Sequence, residues 1–239
     1  MLTVLAPILD RTPVTRIEDV LSRMQEIDAA LPRTDGIACF NRLYLAVTTR
    51  VLQAEAHGGF HNPEFLARLD VAFGNLYFSA LKANEIAAPD TPRAWRPLFA
   101  ARDRTDVAPI QFALAGMNAH INRDLAPGLV QTFAAMGLAP STSSPEWADY
   151  QRVNVLLADT EAAVKRDYFT PLLAELDRAC GNVDDVVAMW CVGEARRAAW
   201  TNGEALWRLR EHATLSADYM AALDGMVGFA ARGLLVATG

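Results

Sequence analysis

The sequence predicts an all-α fold, a multi-helix bundle-like domain of roughly eight to ten helices around one large core. Three observations carry that prediction. Apolar residues recur at helical spacing along nearly the whole chain, and no segment alternates convincingly with a period of two. Helix-start signals recur, with a capping residue set directly before proline at Asn62-Pro63, Thr91-Pro92 and Ser144-Pro145. The links between periodic stretches are short, and Gly58-Gly59, Gly137 and Gly181 stand where helices should end.

Taken in order, Thr15 with Glu18 reads as a capping box that opens a helix over 16–31. Asp35 caps a helix over 36–56, and Asn62-Pro63-Glu64 opens one over 63–86. Thr91-Pro92 opens a helix over 92–102. Helices over 107–122 and 126–136 follow, and Pro127 is expected to kink or restart the chain near Asp124 because it lacks an N–H and crowds the preceding turn. Ser144-Pro145-Glu146 begins a stretch over 145–178, with a break expected near Asp159 or Pro171. Asn182 caps a helix over 183–211, and a last helix covers 216–235. The loosest link, Ala139 to Ser144, joins two halves that do not look self-sufficient, so residues 1–239 read as one domain.

Bulk properties exclude several classes. A chain of 239 residues, 52% hydrophobic and 21% charged, can bury a large core without staples. The net charge of -6 and the lack of a Lys/Arg run speak against a nucleic-acid surface. No apolar run approaches the ~18 residues of a membrane span, and the N-terminus lacks the basic region and cleavage site of a signal peptide. Cys39, Cys180 and Cys191 are odd in number and form no CxxC, which fits a reducing cytoplasm better than a disulfide framework.

Four helices carry polar residues on faces that should be apolar. On a wheel of about 100° per residue, Asp70 falls among Leu66, Leu69, Phe73 and Leu76, with Tyr77 two turns on and Asn75 outside. Asn41, Tyr44 and Thr48 lie between Ile37, Val51 and Leu52. Glu194, Arg197 and Thr201 share the arc of Val186, Val187 and Trp190, which leaves Arg196 outside it. The fourth segment is GMNAHINRDL from Gly116. There His120 and Asp124 are four apart and therefore neighbours, and Ala113 and Gly116 are expected to leave space beside the imidazole. Buried polar groups need partners, so this recurrence points to a cavity or to a structural polar core.

The signatures of known chemistries are mostly missing. His120-x-x-x-Asp124 can supply two metal ligands from one helix, with Asp70 or His61 to complete a set. Helical zinc phospholipases C and nucleases use similar elements, but they need more histidines than the four present here. No E-x-x-H pair, phosphate loop, G-x-S-x-G or H-E-x-x-H occurs, so no motif calls for a cofactor. Without a metal, His120 oriented by Asp124 can serve as general acid or base. Asp70 or Glu194 supplies a second acid, Tyr44 and Tyr77 donate hydrogen bonds, and Arg197 holds an anion.

The segments DGIACFNRLYLAVTTRV from Asp35, FLARLDVAFGNLYFSAL from Phe65, AWRPLF from Ala94 and GMNAHINRDL from Gly116 resemble an uncharacterised family of helical proteins common in actinobacteria. That resemblance implies an all-helical fold and brings no activity, cofactor or substrate. It marks the same residues as the wheels do: Asn41, Tyr44, Asp70, Tyr77, Asn118, His120 and Asp124.

The leading expectation is therefore a small-molecule enzyme that cyclises, isomerises or hydrolyses a largely apolar metabolite by acid–base chemistry. His120, Asp124 and Asp70 are its catalytic candidates. Asn41, Tyr44, Tyr77, Asn118 and Arg197 are its binding candidates. The alternatives are a mononuclear metal-dependent hydrolase built on His120 and Asp124, and a non-catalytic ligand-binding or scaffold protein with a structural polar core. The expected partner is a small molecule, with no nucleic acid and no membrane.

Overall fold

The computed structural model describes residues 4–56, 58–164 and 192–237. The fold is all-helical, and no strand occurs among the described residues. The elements are α1 (Ala6–Leu9), α2 (Ile17–Ala30), α3 (Gly36–Ala56), α4 (Pro63–Glu85), α5 (Arg96–Ala101), α6 (Pro109–Ala119), a π-helical turn (His120–Asp124), α7 (Leu125–Met136), α8 (Pro145–Val164), α9 (Val192–Leu209) and α10 (Ala213–Leu234). Expectations at Asn182, Gly181 and Pro171 lie outside the described residues, as do Cys180, Cys191 and the arc of Val186, Val187 and Trp190.

Several starts follow from the residues that cap them. The Asn62 side chain accepts from the Phe65 N–H at 3.1 Å and opens α4. Asp35 accepts from the Ile37 N–H at 2.8 Å at the start of α3, and the Ser144 hydroxyl accepts from the Trp147 N–H at 3.2 Å at the start of α8. Gly137 ends α7 at φ +65°, a conformation that a Cβ would strain. The expected box at Thr15 and Glu18 does not form, because α2 begins after Arg16 with no side-chain cap. What fixes the approach to α2 is Asn75, whose amide exchanges two hydrogen bonds of 2.9 Å with the Val14 backbone. Asn75 is thus engaged rather than outward-facing. Thr91 does not cap a helix either. Its hydroxyl turns back to the Ala88 carbonyl, and the Arg93 and Ala94 N–H groups are held by Asp224, so α5 begins only at Arg96.

The irregularity expected near Asp124 takes the form of the π turn over His120–Asp124, after which α7 starts at Leu125. Pro127 has no N–H for the Arg123 carbonyl one turn before it. The irregularity is absorbed one turn earlier, where the Leu125 N–H reaches back five residues to the His120 carbonyl and closes the π turn. The result is one continuous path from α6 through the π turn to α7. α3 packs along α6, α4 and α9 pack on α7, and α10 covers α6. The π turn therefore sits where α4, α9 and α10 all approach it.

Candidate functional site

Five rings enclose the His120 imidazole. Phe73 stacks on it at 3.4 Å between ring centres, and Tyr44 meets it edge-on at 4.4 Å. Phe40 lies at 5.7 Å, with Tyr77 and Trp95 each at 5.9 Å. His120 is 1% exposed. The space expected beside it, opposite Gly116, is taken by Phe40, whose ring lies where a Cβ on Gly116 would have to go. Burial lowers the imidazole pKa, and the bond to Asp124 offsets only part of that, so the ring is neutral at pH 7. Nδ1 faces Asp124 Oδ2 at 3.3 Å, while Nε2 is buried without a hydrogen-bond partner.

Asp124 is fully buried and fully engaged. Trp95 Nε1 donates to its Oδ2 at 2.9 Å, and Arg123 donates to its Oδ1 at 2.6 Å. Arg123 in turn approaches Asp224 on α10 at 3.5 Å. A relay of charged and polar groups thus ties the π turn to α10 and to the segment before α5. Asn41 and Tyr77 form another tie. The Asn41 amide donates to the Met24 carbonyl at 2.8 Å and accepts from the Tyr77 hydroxyl at 3.4 Å, which joins α2, α3 and α4. Asn118 faces away from this cluster. It donates to the Val227 carbonyl of α10 and accepts from Asn122.

Asp70 occupies different ground. It lines a cavity of about 40 Å³ together with Tyr44, Thr48, Phe73, Val153 and Arg196. Tyr44 and Phe73 thus form the wall between this cavity and His120. Asp70 as a residue is half-buried, but its Oδ2 is closed off from solvent and has no hydrogen-bond partner. Burial pushes its carboxyl up to about 7, although the charge of Arg196 pulls the other way. Tyr44 is raised well above the ordinary phenol range by burial, with Asp70 and Asp124 adding to the effect and Thr48 offsetting part of it.

Arg197 is not near this site. It lies on the surface, paired with Glu194 at 2.6 Å with both side chains more than half exposed, and Thr201 beside it is exposed as well. The inward residue is Arg196, one position earlier, which is 7% exposed and shares a buried face with Ala199, Trp200, Gly203 and Leu206. Phasing the wheel on Val186, Val187 and Trp190 produced the error. Phasing it on Trp200, Gly203 and Leu206 selects Arg196. Trp95, Arg123 and Arg196 are functional candidates that the wheels do not select, although Trp95 stands in AWRPLF and Arg123 in GMNAHINRDL, two of the segments that carry the family resemblance.

His61, an expected completing ligand, is exposed, and its backbone N–H is held by Asp149 at 2.8 Å. Among the described residues no three His, Cys, Asp or Glu side chains gather closely enough to hold a metal ion. A wider crevice of about 640 Å³ runs between the start of α2, α4 and α7. Its charged residues already pair with each other at the surface, Arg16 with Glu18 and Arg68 with Glu64. The small cavity, by contrast, is lined by Asp70, one of whose oxygens is buried without a partner.

With the helices of the match in place, the comparison with known families is decisive. The chain belongs to DUF5995, a family of unknown function. The match covers residues 17–237, and so takes in every element from α2 to α10. No curated protein and no solved structure matches the chain. Membership of DUF5995 therefore goes with the helical architecture and brings no reaction with it.

Proposed function

We propose that this protein is a small-molecule enzyme working by acid–base chemistry in the pocket between α3, α4 and α9, with Asp70 as its proton-transfer group. One observation carries the reading: a carboxyl group that lines the cavity, has one oxygen buried and unpartnered, and is poised to change charge near neutral pH. Tyr44 supplies a hydroxyl donor and Arg196 a cation. His120 and Asp124 act as positioning residues that hold Tyr44 and Phe73 in place. A cavity of about 40 Å³ accepts the reacting group of a substrate rather than its whole body. Cyclisation, isomerisation or hydrolysis of a largely apolar metabolite suits a site with mostly apolar walls and few polar groups. A reducing cytoplasm suits the free, buried thiol of Cys39. Among the described residues no helix is long and apolar enough to cross a membrane.

A second reading, a non-catalytic protein with a structural polar core, is favoured by the ring cage that seals His120. A metabolite library, screened by thermal unfolding and followed for turnover by mass spectrometry, separates the two. Compounds that stabilise the wild type and are consumed only when Asp70 is intact support the enzyme. A library that leaves wild type and Asp70→Asn equally unaffected, or equally stabilised, removes it.

A further inference from the structure

Two half-satisfied groups face the same cavity. Asp70 offers an oxygen without a hydrogen-bond partner. Arg196 is a buried cation whose partners among the described residues are all neutral: the Asn154 side-chain oxygen at 2.5 Å, the Tyr150 carbonyl at 3.4 Å and the face of the Tyr150 ring at 4.1 Å. A buried charge ordinarily finds an opposite charge, because desolvation without one costs several kcal/mol. Asp70 and Arg196 feel each other electrostatically but do not meet as an ion pair. The cavity lies between them.

We infer that this cavity is a subsite for a small carboxylate, bound between the Arg196 guanidinium and the protonated carboxyl of Asp70. The inference rests on the acid–base reading above and deepens it by naming the group the site takes. One ligand oxygen accepts from Arg196, which presents a planar set of donors suited to a carboxylate. The other accepts from the Asp70 O–H. Proton and charge balance follow directly: binding one carboxylate anion to the Asp70-ionised protein takes up one proton from solvent, because two facing carboxylates cannot both stay charged. The remaining walls neither compete for the anion nor repel it. α3 contributes the neutral Tyr44 and Thr48, α7 Leu125 and α8 Val153. Asp124 and the neutral His120 stand behind the Tyr44 ring.

The probe is acetate, titrated calorimetrically into the full-length protein at pH 6, 7 and 8 in two buffers of different ionisation enthalpy, with acetamide as the uncharged control. Acetate should bind with an uptake of protons that is small at pH 6 and climbs towards one at pH 8, and its affinity should weaken towards about tenfold per pH unit above pH 7. Asp70→Asn keeps a donor on the cavity wall, so it should retain acetate binding and lose the pH dependence. Arg196→Gln should abolish binding. If that variant fails to fold, as judged by far-UV circular dichroism, the Asp70→Asn result decides alone. Acetate that does not bind at pH 6, that binds at pH 8 without proton uptake, or that survives Arg196→Gln in a folded protein overturns the inference. Should acetate fail while the metabolite screen still finds ligands that depend on Asp70, the carboxylate assignment falls and the acid–base reading stands. Should the screen itself show no dependence on Asp70, the underlying reading has failed instead.

Discussion

Asp124, fully buried, accepts from the buried Trp95 and from the partly exposed Arg123 and faces the buried His120. That arrangement makes a single-residue test informative. Truncating a buried, charge-bearing acceptor leaves the Trp95 N–H and the His120 Nδ1 unpaired in a low-dielectric interior and takes from Arg123 its buried partner. Asp124→Ala should therefore lower unfolding stability by roughly 3–5 kcal/mol, measured by denaturant titration. A loss below about 1 kcal/mol would mean that the pair is solvated and lines a pocket after all. At this scale the sequence was legible where one helical wheel held both residues. The i,i+4 spacing made His120 and Asp124 neighbours, as the structure has them. It was illegible for Trp95 and Arg196, whose contacts come from other parts of the chain and depend on a packing direction that no local pattern encodes.

The helices show which part of a pattern is strong and which is weak. Caps at Asp35, Asn62 and Ser144 are local hydrogen bonds between residues two or three apart, so they can be read from the chain itself. Thr91 and Thr15 failed as caps because distant residues, Asp224 and Asn75, fix the neighbouring backbone instead. The π turn is an intermediate case: Pro127 announced an irregularity, and tertiary packing decided its form. Gly116 illustrates the same limit. Read alone it is empty space beside His120; in the fold that space belongs to Phe40, which is wedged under Tyr44, Tyr77 and Trp95. Gly116→Ala should gain about 1 kcal/mol in helix propensity and lose more than that to overpacking, for a net destabilisation of roughly 1–2 kcal/mol. Gly233 on α10 has nothing near its absent Cβ, so Gly233→Ala should be neutral or stabilising by up to about 1 kcal/mol. Thermal unfolding of the two variants side by side checks the contrast, and equal responses would show that Phe40 yields.

Across the whole molecule the all-helical class was legible because helical periodicity is repeated in nearly every segment, whereas the joining of those segments into one polar cluster and one cavity depends on how α3, α4 and α9 face each other. That same joining places two buried groups of opposite linkage in one fold, and it sets the pH profile of stability. His120 has a folded pKa below its ordinary 6.5, so the unfolded chain binds the proton more tightly. Its contribution is fully present above pH 6.5 and is lost as pH falls towards the folded value. Asp70 runs the other way. Its folded pKa of about 7 lies above its ordinary 3.8, so the native state holds the proton; its contribution is complete below pH 3.8 and is lost as pH rises to about 7. In the acidic window just below pH 6.5 the two slopes oppose each other. Removing either group should uncover the other. Relative to wild type, Asp70→Asn should gain stability progressively from pH 4 to pH 7, reaching about 2–4 kcal/mol at pH 8. His120→Gln should shift the profile oppositely, its relative stability rising as the solution is acidified below pH 6.5. Denaturant unfolding of the three proteins at half-unit intervals from pH 4 to 8 measures both slopes. Difference profiles of the same sign, or a flat one for Asp70→Asn, would show that the carboxyl is solvated and paired in the folded protein, and the cavity beside Arg196 would lose its acid.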